Sequence, residues 1–113
     1  MFARATLFEI DTLRISLDEG LALFQGSVLP ALRDQPGCLG VFVMDTPEGK
    51  GMLLSLWESE EAASTSISTG FYNEQVQKFL MFLRQAPGRE HYEVVYWELA
   101  DSLRSVRGPA AGV

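Results

Sequence analysis

With a single cysteine and a single histidine in 113 residues, the chain has little from which to build a metal centre. Cys38 alone closes no internal disulfide, and together with His91 it falls short of the four ligands of a structural zinc site. Basic residues are also scarce, nine against fifteen acids, which leaves a formal net charge of −6. They are scattered from Arg4 to Arg107, and no dense run exists to meet a phosphate backbone or an anionic lipid surface. Nucleic acid is therefore excluded as a partner, and so is a polybasic membrane patch. No apolar run approaches the roughly 20 residues of a membrane span. Met1 to Ile10 carries acid and alternates in polarity, unlike a signal peptide. These absences lead to the expectation of a soluble, cytoplasmic protein.

What remains is an ordinary globular composition, 47% hydrophobic and 21% charged. The length suits one domain that buries roughly two thirds of the surface its unfolded chain exposes. Phe2 to Ile10 is apolar and free of Gly and Pro, which predicts a first strand. Ser16-Leu17-Asp18-Glu19 is a capping-box pattern that opens a helix. Leu17, Leu21, Phe24, Val28 and Leu32 then lay one apolar stripe along it. Pro30 removes a hydrogen bond to the Gly26 carbonyl, so a kink is predicted between Gly26 and Pro30, and Pro36-Gly37 ends the helix. Cys38 to Asp45 and Gly51 to Glu58 form an apolar hairpin joined by Thr46-Pro47-Glu48-Gly49-Lys50. Ser59 caps a short helix reaching about Ile67, and Thr69-Gly70 breaks it. Tyr72, Val76, Phe79 and Leu83 mark a second amphipathic stretch, stopped by Pro87-Gly88. His91 to Leu99 is β-branched and aromatic and predicts a fourth strand.

That order is the split βαβ arrangement of a ferredoxin-like α+β domain over residues 1–99, a four-stranded antiparallel sheet with helices on one face. Residues 100–113, with Gly108-Pro109-Ala110-Ala111-Gly112, have no period and are expected to form a flexible C-terminal tail.

The central hairpin is apolar on both faces. Leu39, Val41 and Val43 alternate with Gly40, Phe42 and Met44, and Met52, Leu54 and Leu56 with Leu53, Ser55 and Trp57. A one-sided sheet would alternate apolar with polar residues. Leaving such side chains in water forgoes about 1.5 to 3 kcal/mol each. A homodimer packed sheet on sheet is the simplest cover; the competing reading is a merely apolar central strand, or the C-terminal tail folded over it.

Pro30, Pro36-Gly37-Cys38-Leu39-Gly40 and Leu56-Trp57-Glu58-Ser59-Glu60-Glu61-Ala62 give the chain a layout that resembles the antibiotic biosynthesis monooxygenase superfamily of dimeric α+β barrels, over about Phe2 to Leu99. The resemblance implies a homodimer with a pocket between sheet and helices. It also implies oxidation of an aromatic or quinone-type compound without metal or flavin, so no cofactor. Haem-cleaving relatives use an Asn on the first strand and a His on the helix before the last strand; this chain has neither. Quinone-forming relatives place Asn, Trp and Tyr around the substrate, and Trp57, Tyr72 and Asn73 are the matching residue types here.

Among candidate site residues, Trp57 either stacks on a flat aromatic substrate or packs against the next helix. His91 is the best general acid or base in the chain, yet it stands beside Glu90, where a surface ion pair accounts for it equally. Tyr72 can hydrogen-bond a phenol or carbonyl, and it also belongs to the apolar helical stripe. Tyr92 and Tyr96 offer the same hydroxyl chemistry. Cys38, with no His nearby in sequence, reads as a small buried residue. Trp57, Tyr72 and His91 are thus the expected catalytic set of a cofactor-independent monooxygenase. The alternative is a non-catalytic dimeric module binding a small apolar ligand, or a structural or accessory protein.

Overall fold

The computed structural model describes residues 1–104. The chain runs β1 (Phe2–Glu9), α1 (Leu17–Leu23), a π-helical turn (Phe24–Val28), α2 (Leu29–Arg33), β2 (Cys38–Asp45), β3 (Lys50–Trp57), α3 (Glu60–Ser68), α4 (Phe71–Gln77), a 3₁₀ turn (Leu80–Phe82), β4 (Gly88–Glu93) and a single turn α5 (Asp101–Arg104). The four strands form one antiparallel sheet in the order β2-β3-β1-β4, with helices on one face, as the ferredoxin-like reading expects. Residues 105–113, most of the expected tail, lie outside the described residues.

Local chemistry sets the boundaries. Ser16 Oγ accepts from the Glu19 N–H and Glu19 Oε1 accepts from the Ser16 N–H, both at 3.0 Å, which completes the capping box. Ser59 Oγ accepts from the Ala62 N–H at 3.1 Å and starts α3. The disruption predicted around Gly26 to Pro30 takes the form of the π-helical turn: one wide turn absorbs the phase change ahead of Pro30, which then opens α2 at a position where its missing N–H costs nothing. Gly37 turns the chain from α2 into β2 in the left-handed region at φ 80°, and a side chain there would strike the Ala62 Cβ at 2.6 Å.

Two elements differ from expectation. The stretch from Tyr72 stays α-helical only to Gln77, and Leu83 instead bridges Ile10 in extended backbone. The last strand begins at Gly88 and ends at Glu93, short of Leu99. Its ladder with β1 finishes where the Val94 N–H donates to the Met1 carbonyl at 2.9 Å. Val95, Tyr96 and Trp97 then run 88%, 76% and 61% exposed.

The register sorts the side chains. Phe2, Arg4, Thr6 and Phe8 of β1 lie level with Trp57, Ser55, Leu53 and Gly51 of β3, on the face that carries the helices. There Trp57, Val28, Leu32 and Ala63 make the buried core, with Phe2, Val41 and Phe79 packed against it. The opposite face presents Phe42, Met44, Leu7 and Tyr92, all exposed.

Candidate functional site

A cavity of about 120 Å³ lies between the sheet and the helices. Thr6, Phe8 and Ile10 line it from β1, Leu21, Phe24 and Val28 from the first helical layer, and Phe71, Tyr72 and Val76 from α4. The stripe read from sequence therefore does two jobs: Leu32 and Val28 reach the core while Leu17, Leu21 and Phe24 wall the cavity. An apolar cavity near 150 Å³ holds a benzene ring, so this one is of single-ring size.

One charged side chain is built into its inner wall. Arg4, in the middle of β1, is only 2% exposed. Its Nη1 donates to the Ala63 carbonyl at 3.3 Å and to Ser66 Oγ at 2.7 Å, while Ser66 Oγ itself donates to the Ala63 carbonyl at 2.6 Å. The guanidinium carbon lies 4.9 Å from the centre of the Trp57 ring and 4.8 Å from that of Tyr72, so two aromatic faces partly replace lost water. Burial lowers the Arg4 pKa from the usual guanidinium range to about 10, against the opposing influence of Tyr72 and with the help of the Arg89 charge. Arg4 stays cationic at neutral pH, yet no carboxylate among the described residues pairs with it.

Of the three expected site residues, Tyr72 alone lines the cavity. Its hydroxyl sits 3.2 Å from Thr6 Oγ1, and the Arg89 guanidinium carbon lies 5.0 Å from its ring centre. Trp57 is fully buried behind Arg4, with its indole Nε1–H donating to Ser55 Oγ at 2.9 Å. Ser55 Oγ in turn donates to the Arg4 carbonyl at 3.5 Å. His91 stands level with Arg4 on the next strand, exposed at the sheet edge and outside the cavity wall. Its pKa is held below the usual imidazole value by partial burial and then by the charges of Arg4 and Arg89, with Glu60 opposing. Its sequence neighbour Glu90 accepts a hydrogen bond from Tyr92 instead of pairing with it. Asn73 is exposed and outside the wall. Cys38 is half-buried, and burial pushes its thiol pKa up, as suits an unreactive residue.

The sequence reading passed over Arg4. The available signal was a strand whose inward positions read Phe2, Arg4, Thr6, Phe8 between small Ala3 and Ala5. A cation at such a position is rare without a purpose. Among the described residues no three His, Cys, Asp or Glu side chains converge as metal ligands.

The family model of the antibiotic biosynthesis monooxygenases matches residues 14–67, which run from the end of the first loop through α3. Over that stretch, a little under half of its length, the chain is similar to the antibiotic biosynthesis monooxygenases. Solved structures share its fold. A protein of unknown function from Nitrosomonas europaea superposes with a TM-score of 0.69 at 16% identity, over 88% of this chain and 93% of that one. A monooxygenase from Streptomyces coelicolor, solved with the ligand nanaomycin D, superposes with a TM-score of 0.65 at 20% identity, over 88% and 92%. An uncharacterised protein of Mycobacterium tuberculosis is 37% identical over 68 residues, covering 59% of this chain. The match spans only 28% of that curated relative's length. No helix among the described residues is long and apolar enough to cross a membrane.

Proposed function

We propose that the chain binds a small aromatic or quinone-type compound between sheet and helices and oxidises it as a cofactor-independent monooxygenase. The observation that carries this reading is the single-ring cavity, mostly apolar, where Arg4, Thr6 and Tyr72 converge on one part of the wall and Asp45 and Gln75 are the other polar lining residues. Apolar pockets with a few convergent polar groups are where small ligands are oriented. The substrate supplies its own electrons: a phenol with a free ring C–H and O₂ gives the quinone and water, one oxygen atom entering the ring and the other leaving in the water. Tyr72 meets the ring oxygen, and Arg4 favours negative charge developing there. Trp57 acts from behind by holding Arg4 in place. His91, exposed and outside the cavity wall, takes no part in substrate proton transfer in this reading.

The working unit is a homodimer in the same proposal. Leu7, Phe42, Met44 and Tyr92 are 41%, 45%, 47% and 51% exposed on the open sheet face, an apolar surface that a second copy covers. Sedimentation at micromolar concentration is expected to give the dimer mass, and single chains would sink this part.

Oxygen-electrode measurements on simple phenols test the chemistry. The expected result is O₂ uptake matched one to one by quinone, lowered roughly tenfold in Tyr72→Phe, in line with the loss of a positioned hydroxyl. Ligands that bind and raise the melting temperature with no O₂ uptake select the alternative, a non-catalytic ligand-binding module.

A further inference from the structure

We propose that the ligand carries a carboxylate, and that Arg4 receives it through the Nε–Nη2 edge of its guanidinium. This deepens the reading above by naming the substrate class, a single-ring aromatic acid, and it rests on that reading only in taking the same cavity as the binding site.

The two N–H groups of Nη1 are matched by its two acceptors, the Ala63 carbonyl and Ser66 Oγ. No described residue accepts from Nε or Nη2. Neither of those nitrogens is sealed from accessible space, since among the described residues no buried side-chain nitrogen or oxygen lacks a partner. Arg4 is one of the residues lining the cavity, and in this proposal its free edge faces that space. Its free edge carries two parallel N–H groups in the plane of the guanidinium, the fork that a carboxylate matches with two oxygens. The same side chain is 2% exposed, and no described carboxylate lies within ion-pair distance of it. A buried cation without a counter-ion is costly, and a ligand anion at this edge offsets the cost.

The rest of the cavity fixes the other end of the ligand. Its volume of about 120 Å³ admits one ring, and Phe8, Phe24 and Phe71 offer that ring apolar and aromatic contact. Among the described residues the only other charged one in the wall is Asp45, exposed at the end of β2, which repels an acid from that side and orients the carboxylate inward. The Tyr72 hydroxyl, 3.2 Å from Thr6 Oγ1, stands on the same part of the wall as Arg4 and is placed to meet a ring hydroxyl next to the carboxylate.

Isothermal titration of the full chain near neutral pH with benzoate, 2-hydroxybenzoate and the neutral isostere benzamide tests this. Benzoate is expected to bind roughly ten- to hundredfold more tightly than benzamide, the range for a charge-assisted hydrogen-bonded pair. Arg4→Met is expected to bring benzoate down to the benzamide level, and Arg4→Lys, which keeps the charge but loses the fork, to retain an intermediate preference. Benzamide binding as tightly as benzoate, no benzoate binding at all, or a preference that survives Arg4→Met would each overturn the proposal. Should Arg4→Met not fold, the benzoate-to-benzamide ratios of the unaltered chain and Arg4→Lys decide it. The two readings fail separately: benzoate preference without O₂ uptake removes the oxygenase and leaves the acid site. O₂ uptake on neutral phenols without that preference does the reverse.

Discussion

Replacing Arg4 by methionine should make the protein more stable while destroying its anion site. The lowering of the Arg4 pKa to about 10 corresponds to roughly 3 kcal/mol against the charged side chain in the folded state. Screening by solvent at the outer guanidinium nitrogens reduces this to about 1 to 2 kcal/mol. Methionine has a similar length, and its sulfur against the Trp57 and Tyr72 rings recovers about 0.3 to 1.5 kcal/mol, comparable to the cation–π attraction it replaces. No acceptor is stranded in need of a donor, because Ser66 Oγ keeps its own bond to the Ala63 carbonyl at 2.6 Å. The balance is a gain of about 1 kcal/mol, or about 4 °C in Tm for a domain of this size. Urea and thermal melts followed by far-UV circular dichroism, at one fixed protein concentration, read it directly. A variant less stable than the parent by about 1 kcal/mol or more would show that Arg4 is a structural cation whose contacts outweigh its burial.

Three further outcomes are expected. Ser55→Ala leaves the buried Trp57 indole N–H without its 2.9 Å acceptor and should cost about 1 to 3 kcal/mol; adding Trp57→Phe should cost less than the two changes summed, and strict additivity in urea melts would refute the coupling. Gly51→Ala would place a Cβ 2.3 Å from Phe8 Cζ and 2.7 Å from the Met44 carbonyl, so a loss of about 1 to 3 kcal/mol is expected, partly restored by Phe8→Leu; a neutral Gly51→Ala would show the strand pair to be looser than drawn. His91 has a folded-state pKa below its unfolded value, so the folded chain binds fewer protons there. Its contribution is full above the ordinary imidazole value and is lost as pH falls through the folded one. His91→Asn should flatten the fall in stability between about pH 7.5 and about pH 5, and an unchanged slope would refute the assignment.

How much of this was legible in the chain follows from which forces are local. The Ser16 and Ser59 caps, the Pro36-Gly37 stop and the Cys38–Asp45 strand are written in adjacent residues, and they appear where read. The fourth strand was misjudged because β propensity peaks over Val94 to Leu99, whereas pairing is decided by β1, which matches Gly88 to Glu93 in register. Helical periodicity likewise continued to Leu83, but the Ile10 bridge pulls that residue into extended backbone. Tyr72 was legible as an aromatic on an amphipathic helix. Arg4 was not, because its role depends on Ser66 and Tyr72, more than sixty residues away in sequence. Trp57 was visible as an aromatic at a strand end, but only the fold decides that its ring meets Arg4 and not the cavity.

The wide helical turn at Phe24–Val28 has a further consequence for the cavity it borders. A π turn holds one residue more than regular winding needs, and here that surplus includes Gly26, where an added Cβ would meet nothing within 4 Å. Loss or gain of a single codon at this point would rotate Leu17, Leu21 and Phe24 against the sheet while leaving every strand pairing in place. Ligand size can therefore drift among descendants of such a scaffold through small insertions and deletions, with the four-stranded platform held constant.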